Sequence, residues 1–157
     1  MTYKCILGID PGLTGACAFY FPSHPMLVGI HDMPIDGKTV DGYELAKIIR
    51  QYNPDVAFIE AVHSFSGQGV ASSFNFGCSY GVARGVVAAC GIPATLVSPQ
   101  KWKRELELSK DKNQSLEMAR MLWPDSDKFK LKKHDGRAES ALIAMYGYKS
   151  QFDVKEK

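Results

Sequence analysis

A chain of 157 residues, 45% of them hydrophobic, has the size of one ordinary globular domain with a core of its own, and a single domain over 1–157 is expected. No apolar run approaches the roughly 20 residues that cross a bilayer, and the start lacks the basic, apolar and small-residue succession of a secretory signal, so no membrane partner and a cytoplasmic location are expected. The net charge of +2 is small but uneven: residues 1–100 carry 5 Lys and Arg against 7 Asp and Glu, whereas 101–157 carry 14 against 10.

In chain order, 3–9 is apolar and β-compatible and ends at Asp10-Pro11-Gly12. A second strand over 15–21 and a third over 26–33 complete an antiparallel meander that Asp36-Gly37 closes. From 41 to 52 the positions Tyr43, Leu45, Ile48 and Ile49 make a helical stripe that stops at Asn53-Pro54. A short buried strand over 55–59 ends at Glu60. The stretch 62–76, rich in Ser, Gly and Phe and without a clean period, predicts a long loop running into a helix of small residues over 77–90. A fifth strand over 94–97, helices over 101–108 and 113–122, and a last helix from His134 to Tyr148 complete the pass. The expected fold is α/β: a mixed five-stranded sheet, three antiparallel strands then parallel ones, with helices on both faces. Cys5, Cys17, Cys78 and Cys90 stand singly on apolar stretches, without zinc-ligand spacing, and are expected to be reduced core residues. The late basic residues form two clusters, Lys101, Lys103, Arg104 and Lys128, Lys130, Lys132, Lys133, interleaved with Trp102 and Phe129, which suggests a phosphate-facing surface.

Four acids stand where neither a core nor a solvated face asks for them. Asp10 and Glu60 each end a buried strand, the usual place for ligands at the edge of an α/β sheet. Asp135 and Glu139, four residues apart, share one helix face about 6 Å apart. Singly, each has a bland explanation: a turn cap, an exposed strand end, an acid at a helix N-terminus. Jointly, two strand-end carboxylates and a helical pair are the oxygen-ligand set that holds two Mg²⁺ ions for phosphodiester hydrolysis.

The Gly8-Ile9-Asp10-Pro11-Gly12-Leu13-Thr14-Gly15 opening, the Ile59-Glu60 strand end and the Asp135-Gly136-Arg137-Ala138-Glu139-Ser140-Ala141-Leu142-Ile143-Ala144 helix, in that order, resemble the RuvC-type Holliday-junction resolvases of the RNase H-like superfamily. Ser98-Pro99-Gln100-Lys101-Trp102-Lys103 and the glycine-rich 77–85 stretch resemble the phage-encoded branch, whose proteins act in a bacterial host's cytoplasm. The resemblance implies a homodimeric endodeoxyribonuclease that nicks two opposed strands of a four-way DNA junction, using two Mg²⁺ ions, or Mn²⁺ as substitute, per active site. Asp10, Glu60 and Glu139 match the family's acids. The family spaces its last two ligands three apart, where this chain has Gly136; Asp135 is the nearest acid and His134 an auxiliary candidate. The loop after Glu60 carries the family's junction wedge, here Phe65, with His63 at the spacing itself and Phe74 beyond. Gln68 of the same loop is assigned to DNA. Lys101, Lys103, Arg104, Lys132 and Lys133 would neutralise phosphates, and Arg84 and Arg137 would form ion pairs near the site.

Three alternatives remain open in the sequence. A nuclease of the same fold could act on flaps or forks, and a module that has lost its chemistry could only bind DNA. Asp10-Pro11-Gly12-Leu13-Thr14 also fits the phosphate loop of actin and Hsp70-like nucleotide-binding proteins, although those need two lobes and this chain supplies one.

Overall fold

The computed structural model describes residues 2–64 and 66–152. The central sheet contains β1 (Ile6–Asp10), β2 (Ala16–Tyr20), β3 (Val28–Asp32), β6 (Val56–Glu60) and β7 (Ala94–Val97), in the order β3-β2-β1-β6-β7. β1 pairs antiparallel with β2, and β2 with β3, whereas β1–β6 and β6–β7 are parallel. This is the expected mixed sheet. A small hairpin of β4 (Ile35–Asp36) and β5 (Thr39–Val40) turns through Gly37 at φ 62°. The hairpin is an addition to the expected elements, among which Asp36-Gly37 only closes the meander.

The helices are α1 (Gly42–Tyr52), α2 (Val70–Ala89), α3 (Pro99–Glu105), α4 (Lys112–Leu122) and α5 (Asp135–Gln151), with a short 3₁₀ turn, Lys132–His134, leading into the last. Local chemistry explains their bounds. The Asp41 carboxylate accepts the Glu44 N–H at 3.1 Å and Asn53 closes α1 in the left-handed conformation at φ 49°. Ser98 caps α3, whose first position is Pro99. α2 begins seven residues earlier than the small-residue pattern indicates. Val70 and Phe74 are exposed while Ser79 is buried with Ala83 and Val87, so apolar and polar residues stand on the reverse of the faces that a helical period looks for.

Period-two alternation along the strands divides the core in two. Leu7, Ile9, Cys17, Phe19 and Ile59 pack against Leu45 and Ile49 of α1 and Ala83 and Val87 of α2. Ile6, Ala18, Ile30 and Phe58 pack against Trp102, Leu116, Trp123, Phe129 and the whole middle of α5. α5 is buried on every side from Ala138 to Gly147, which is why it shows no amphipathic stripe. It lies directly on the sheet at Gly8, where an added methyl would overlap the Ser140 carbonyl oxygen and stand 2.7 Å from Ala144 Cβ. Both neighbours are held by helix backbone. Gly8→Ala is therefore expected to destabilise the fold by about 3 kcal/mol, read as a lower urea midpoint; an unchanged midpoint would show that α5 can lift from β1.

Of the four cysteines, all free, Cys5 and Cys17 are core residues and Cys78 and Cys90 are only half-buried. Among the described residues no helix is long and apolar enough to cross a membrane.

Candidate active site at the carboxyl ends of the central strands

Ile6 and Gly8 face α5, and alternation sends Asp10, the last residue of β1, to the same side. On β6, Phe58 faces α5 and Glu60 follows it two residues later. The parallel register Ile9↔Ile59 sets the two strand ends abreast. α5 then brings its own acids to this edge. Gly136 packs against the Thr14 carbonyl and Gly15 Cα of the β1–β2 turn, so the first turn of α5 is seated beside the residues that follow Asp10. A side chain at Gly136 would collide with the Thr14 backbone, and the acid one position earlier, Asp135, is the one available.

Asp10, Glu60 and Glu139 feel one another's charge, and Asp135 is linked to them through Lys112. The Asp10 carboxyl is pushed up to about 7, first by burial and then by the charges of Glu60 and Glu139, against a hydrogen bond from the Gly12 backbone N–H. Glu60 is also raised, mainly by burial, while the Trp102 indole opposes the shift; Trp102 Nε1 donates to Glu60 Oε2 at 2.9 Å. Two lysines hold the other acids. Lys103 Nζ stands 3.0 Å from Glu139 Oε1, and Lys112 Nζ stands 3.2 Å from Asp135 Oδ2. The Lys112 ammonium is held charged above its ordinary range by its hydrogen bond to Asp135, with Glu139 and Asp10 adding to the effect.

Lys103 and Glu139 attract as charges but are misaligned as donor and acceptor, so the buried Glu139 Oε1 has no hydrogen-bond donor. That oxygen, two raised carboxyls and an all-oxygen donor set of crowded acids fit a hard divalent cation. Among the described residues no three acid, histidine or cysteine side chains stand together closely enough to hold a metal ion; two lysines supply the opposing charge instead.

The other expected site residues fall in several places. His134, expected as an auxiliary ligand, is buried, its Nδ1 accepts the Leu131 N–H at 3.1 Å, and its charged neighbours are Arg137, Asp32, Lys133 and Arg120. It closes the turn before α5. Lys103, expected at phosphates, has a side chain only 17% exposed and stands in the acid cluster. Lys101, Arg104, Lys132 and Lys133 are exposed. Trp102 and Phe129, expected as aromatics between basic residues, are 0% and 1% exposed and cannot stack on a base. Arg137 forks onto Asp32 at 2.7 and 2.8 Å and donates to the Lys128 carbonyl at 3.2 Å, tying α5 to the end of β3. Arg84, expected to form an ion pair near the site, lies over the Tyr80 ring at 5.3 Å. Phe65 lies outside the described residues. Gln68 is half-buried, with Oε1 shielded and unpartnered, while His63 and Phe74 are exposed, Phe74 on α2.

Sequence reasoning missed Lys112 and the role of Trp102. Lys112 opens α4, where the helix dipole disfavours a cation, and that misplacement was the available signal. Trp102 offered none, because its partner Glu60 is 42 residues away.

No protein-family model matches the chain, and no curated protein matches its sequence. Solved structures match its fold. RuvC of Thermus thermophilus in complex with a Holliday junction substrate superposes at TM-score 0.64 and 14% identity, over 96% of this chain and 97% of that one. A structure of Thermus thermophilus RuvC alone gives 0.60 at the same identity and coverage. The yeast mitochondrial Holliday junction resolvase Ydc2 gives 0.52 at 17% identity, over 91% of this chain and 78% of that one. The RNase H-like fold expected from the ordered motifs is thus the fold of the protein, shared with RuvC.

Proposed function

We propose, from a chain with the RuvC fold whose acids converge at the strand ends, that it is a divalent-metal-dependent endodeoxyribonuclease resolving four-way DNA junctions by paired symmetric nicks. The observation that supports this is the Asp10 carboxyl pushed up to about 7, first by burial and then by the charges of Glu60 and Glu139 from two other elements. A structural ion pair would lower that value. The match to a RuvC bound to a Holliday junction substrate supports the choice of DNA.

In this reading Asp10, Glu60, Asp135 and Glu139 hold two Mg²⁺ or Mn²⁺ ions. Bound there, such ions lower the pKa of a water and offset charge on the leaving oxygen. The chain's own residues prepare the site. Trp102 fixes the Glu60 carboxylate through Oε2, and burial of Glu139 keeps competing water from its free oxygen. Lys103 and Lys112 neutralise Glu139 and Asp135 before loading. A homodimer of single-domain chains, as in the phage-encoded branch, would bring two such sites to two opposed strands.

Lys101 and Arg104 lie on the exposed side of α3, beside the half-buried Lys103. Each of Lys101→Ala and Arg104→Ala is expected to weaken junction binding and to lower the slope of log affinity against log salt by about 1. An unchanged slope would take that residue off the phosphate path.

The proposed activity is tested by offering a labelled four-way junction, a flap and a duplex side by side, with Mg²⁺, with Mn²⁺ and with chelator. Two symmetric nicks in the junction, with either ion and not with chelator, are expected. Preferential cutting of flaps would reassign the substrate, and no cutting of any of them would reject the reading.

A further inference from the structure

Consecutive residues of α3 reach two acids that come from different elements. Trp102 Nε1 donates to Glu60 Oε2 of β6 at 2.9 Å, and Lys103 Nζ stands 3.0 Å from Glu139 Oε1 of α5. The two holds differ in kind. A lysine is a flexible stem with rotatable donors, and the Lys103 side chain keeps 17% exposure, so it can leave Glu139 when a cation takes its place. Trp102 cannot leave Glu60 in the same way. It is 0% exposed and belongs to the same core as Phe58, Val97 and Leu142, and turning its ring would leave a buried N–H and a carboxylate oxygen unpaired together.

This asymmetry bears on which cation the acids accept. Glu60 also lines an open groove with Pro99 and Gln100, so a cation can approach it while Oε2 stays hydrogen-bonded. One oxygen of Glu60 is then left for the ion. Ca²⁺ takes roughly six to eight oxygens in flexible geometry and accepts both oxygens of one carboxylate, whereas Mg²⁺ demands a near-ideal octahedron. The narrow bite of a chelating carboxylate does not fit an octahedron.

We propose that Trp102 is a positioning residue that holds Glu60 to ligation through a single oxygen and so sets the preference of the site for a small octahedral ion over Ca²⁺. The side chain touches neither substrate nor ion and acts only through Glu60. The proposal rests on the metal-dependent reading of the four acids and adds to it the device that selects the ion.

The test removes the N–H and keeps the ring. Benzothienylalanine at position 102 replaces the indole N–H by sulfur at nearly the same shape. It leaves the core filled and the Lys103 ammonium over the ring, where it stands 5.4 Å from the centroid. Trp102→Phe is the second variant. Mn²⁺ binding to the DNA-free protein is followed by electron paramagnetic resonance, with Mg²⁺ and Ca²⁺ added as competitors. Loss of the hydrogen-bond partner is expected to weaken Mg²⁺ binding by about 10- to 100-fold in both variants. The freed Oε2, as an added ligand, should leave Ca²⁺ binding as tight as before or tighter, so the preference shifts by about tenfold or more. In crystals soaked in Ca²⁺, Glu60 should ligate through Oε1 alone in the wild type and through both oxygens in the benzothienylalanine protein. An unchanged preference, or both ions weakened alike in that protein, overturns the role of Trp102 and leaves the metal site standing. A wild-type Mn²⁺ signal that Asp10→Asn does not remove overturns the site itself, and the proposal with it.

Discussion

Asp10→Asn, Glu60→Gln and Glu139→Gln are each expected to lower the single-turnover rate of junction nicking by on the order of a thousandfold or more, about 4 kcal/mol of barrier. Affinity for the junction, measured in chelator, should change little, because the exposed cations Lys101 and Arg104 lie on another element. The size of the effect follows from crowding. Each of the three acids is at least partly buried, so an amide in its place removes a ligand charge that water cannot supply. Asp135→Asn is expected to cost less, about tenfold, since its side chain is 25% exposed and already paired with Lys112. Full activity in any of the first three variants would remove that residue from the mechanism.

The second large effect is on stability and needs no DNA. The Asp10 carboxyl stands at about 7 in the folded protein against an ordinary 3.8. Between those two values the folded state holds a proton that the unfolded state has released, so metal-free stability falls as pH rises through the window and levels off above about 7. Each tenfold difference in proton affinity between the two states corresponds to about 1.4 kcal/mol. Because Asp10 retains some solvent contact, a total loss of about 2 to 4 kcal/mol is expected. Asp10→Asn has no such group to ionise. In chelator it should match the wild type at about pH 4 and exceed it by that margin at about pH 8, as read from urea midpoints. Mn²⁺ at the higher pH should restore the wild type far more than the variant. A wild-type stability that does not fall between the two pH values relative to the variant would mean that Asp10 is not held raised by burial and its acidic neighbours.

Most of the sheet was legible because its strands are short runs of residues that need burial on both faces, with Asp10-Pro11-Gly12 ending the first and Asn53-Pro54 separating α1 from β6. Asp10 and Glu60 stood out for the same reason, being charges at the close of apolar runs. Asp135 and Glu139 needed only the helical repeat. What was not legible depends on contacts between distant segments. Trp102 and Phe129 look like surface aromatics among lysines, and only the packing of α3 and α4 on α5 buries them. Lys103 reads as one more basic residue until α3 turns it toward Glu139. His134 sits next to a ligand candidate in sequence, yet the 3₁₀ turn uses its ring to hold the Leu131 N–H. The start of α2 was hidden because Val70 and Phe74 face solvent, leaving a helix without a helical pattern.

The most direct measurement is anomalous diffraction from crystals soaked in Mn²⁺. Density among Asp10, Glu60, Asp135 and Glu139, with Lys103 drawn away from Glu139, is the predicted result. Crystals that take up manganese elsewhere, or not at all, with both lysine pairs intact, would contradict a shared metal site and the nuclease built on it.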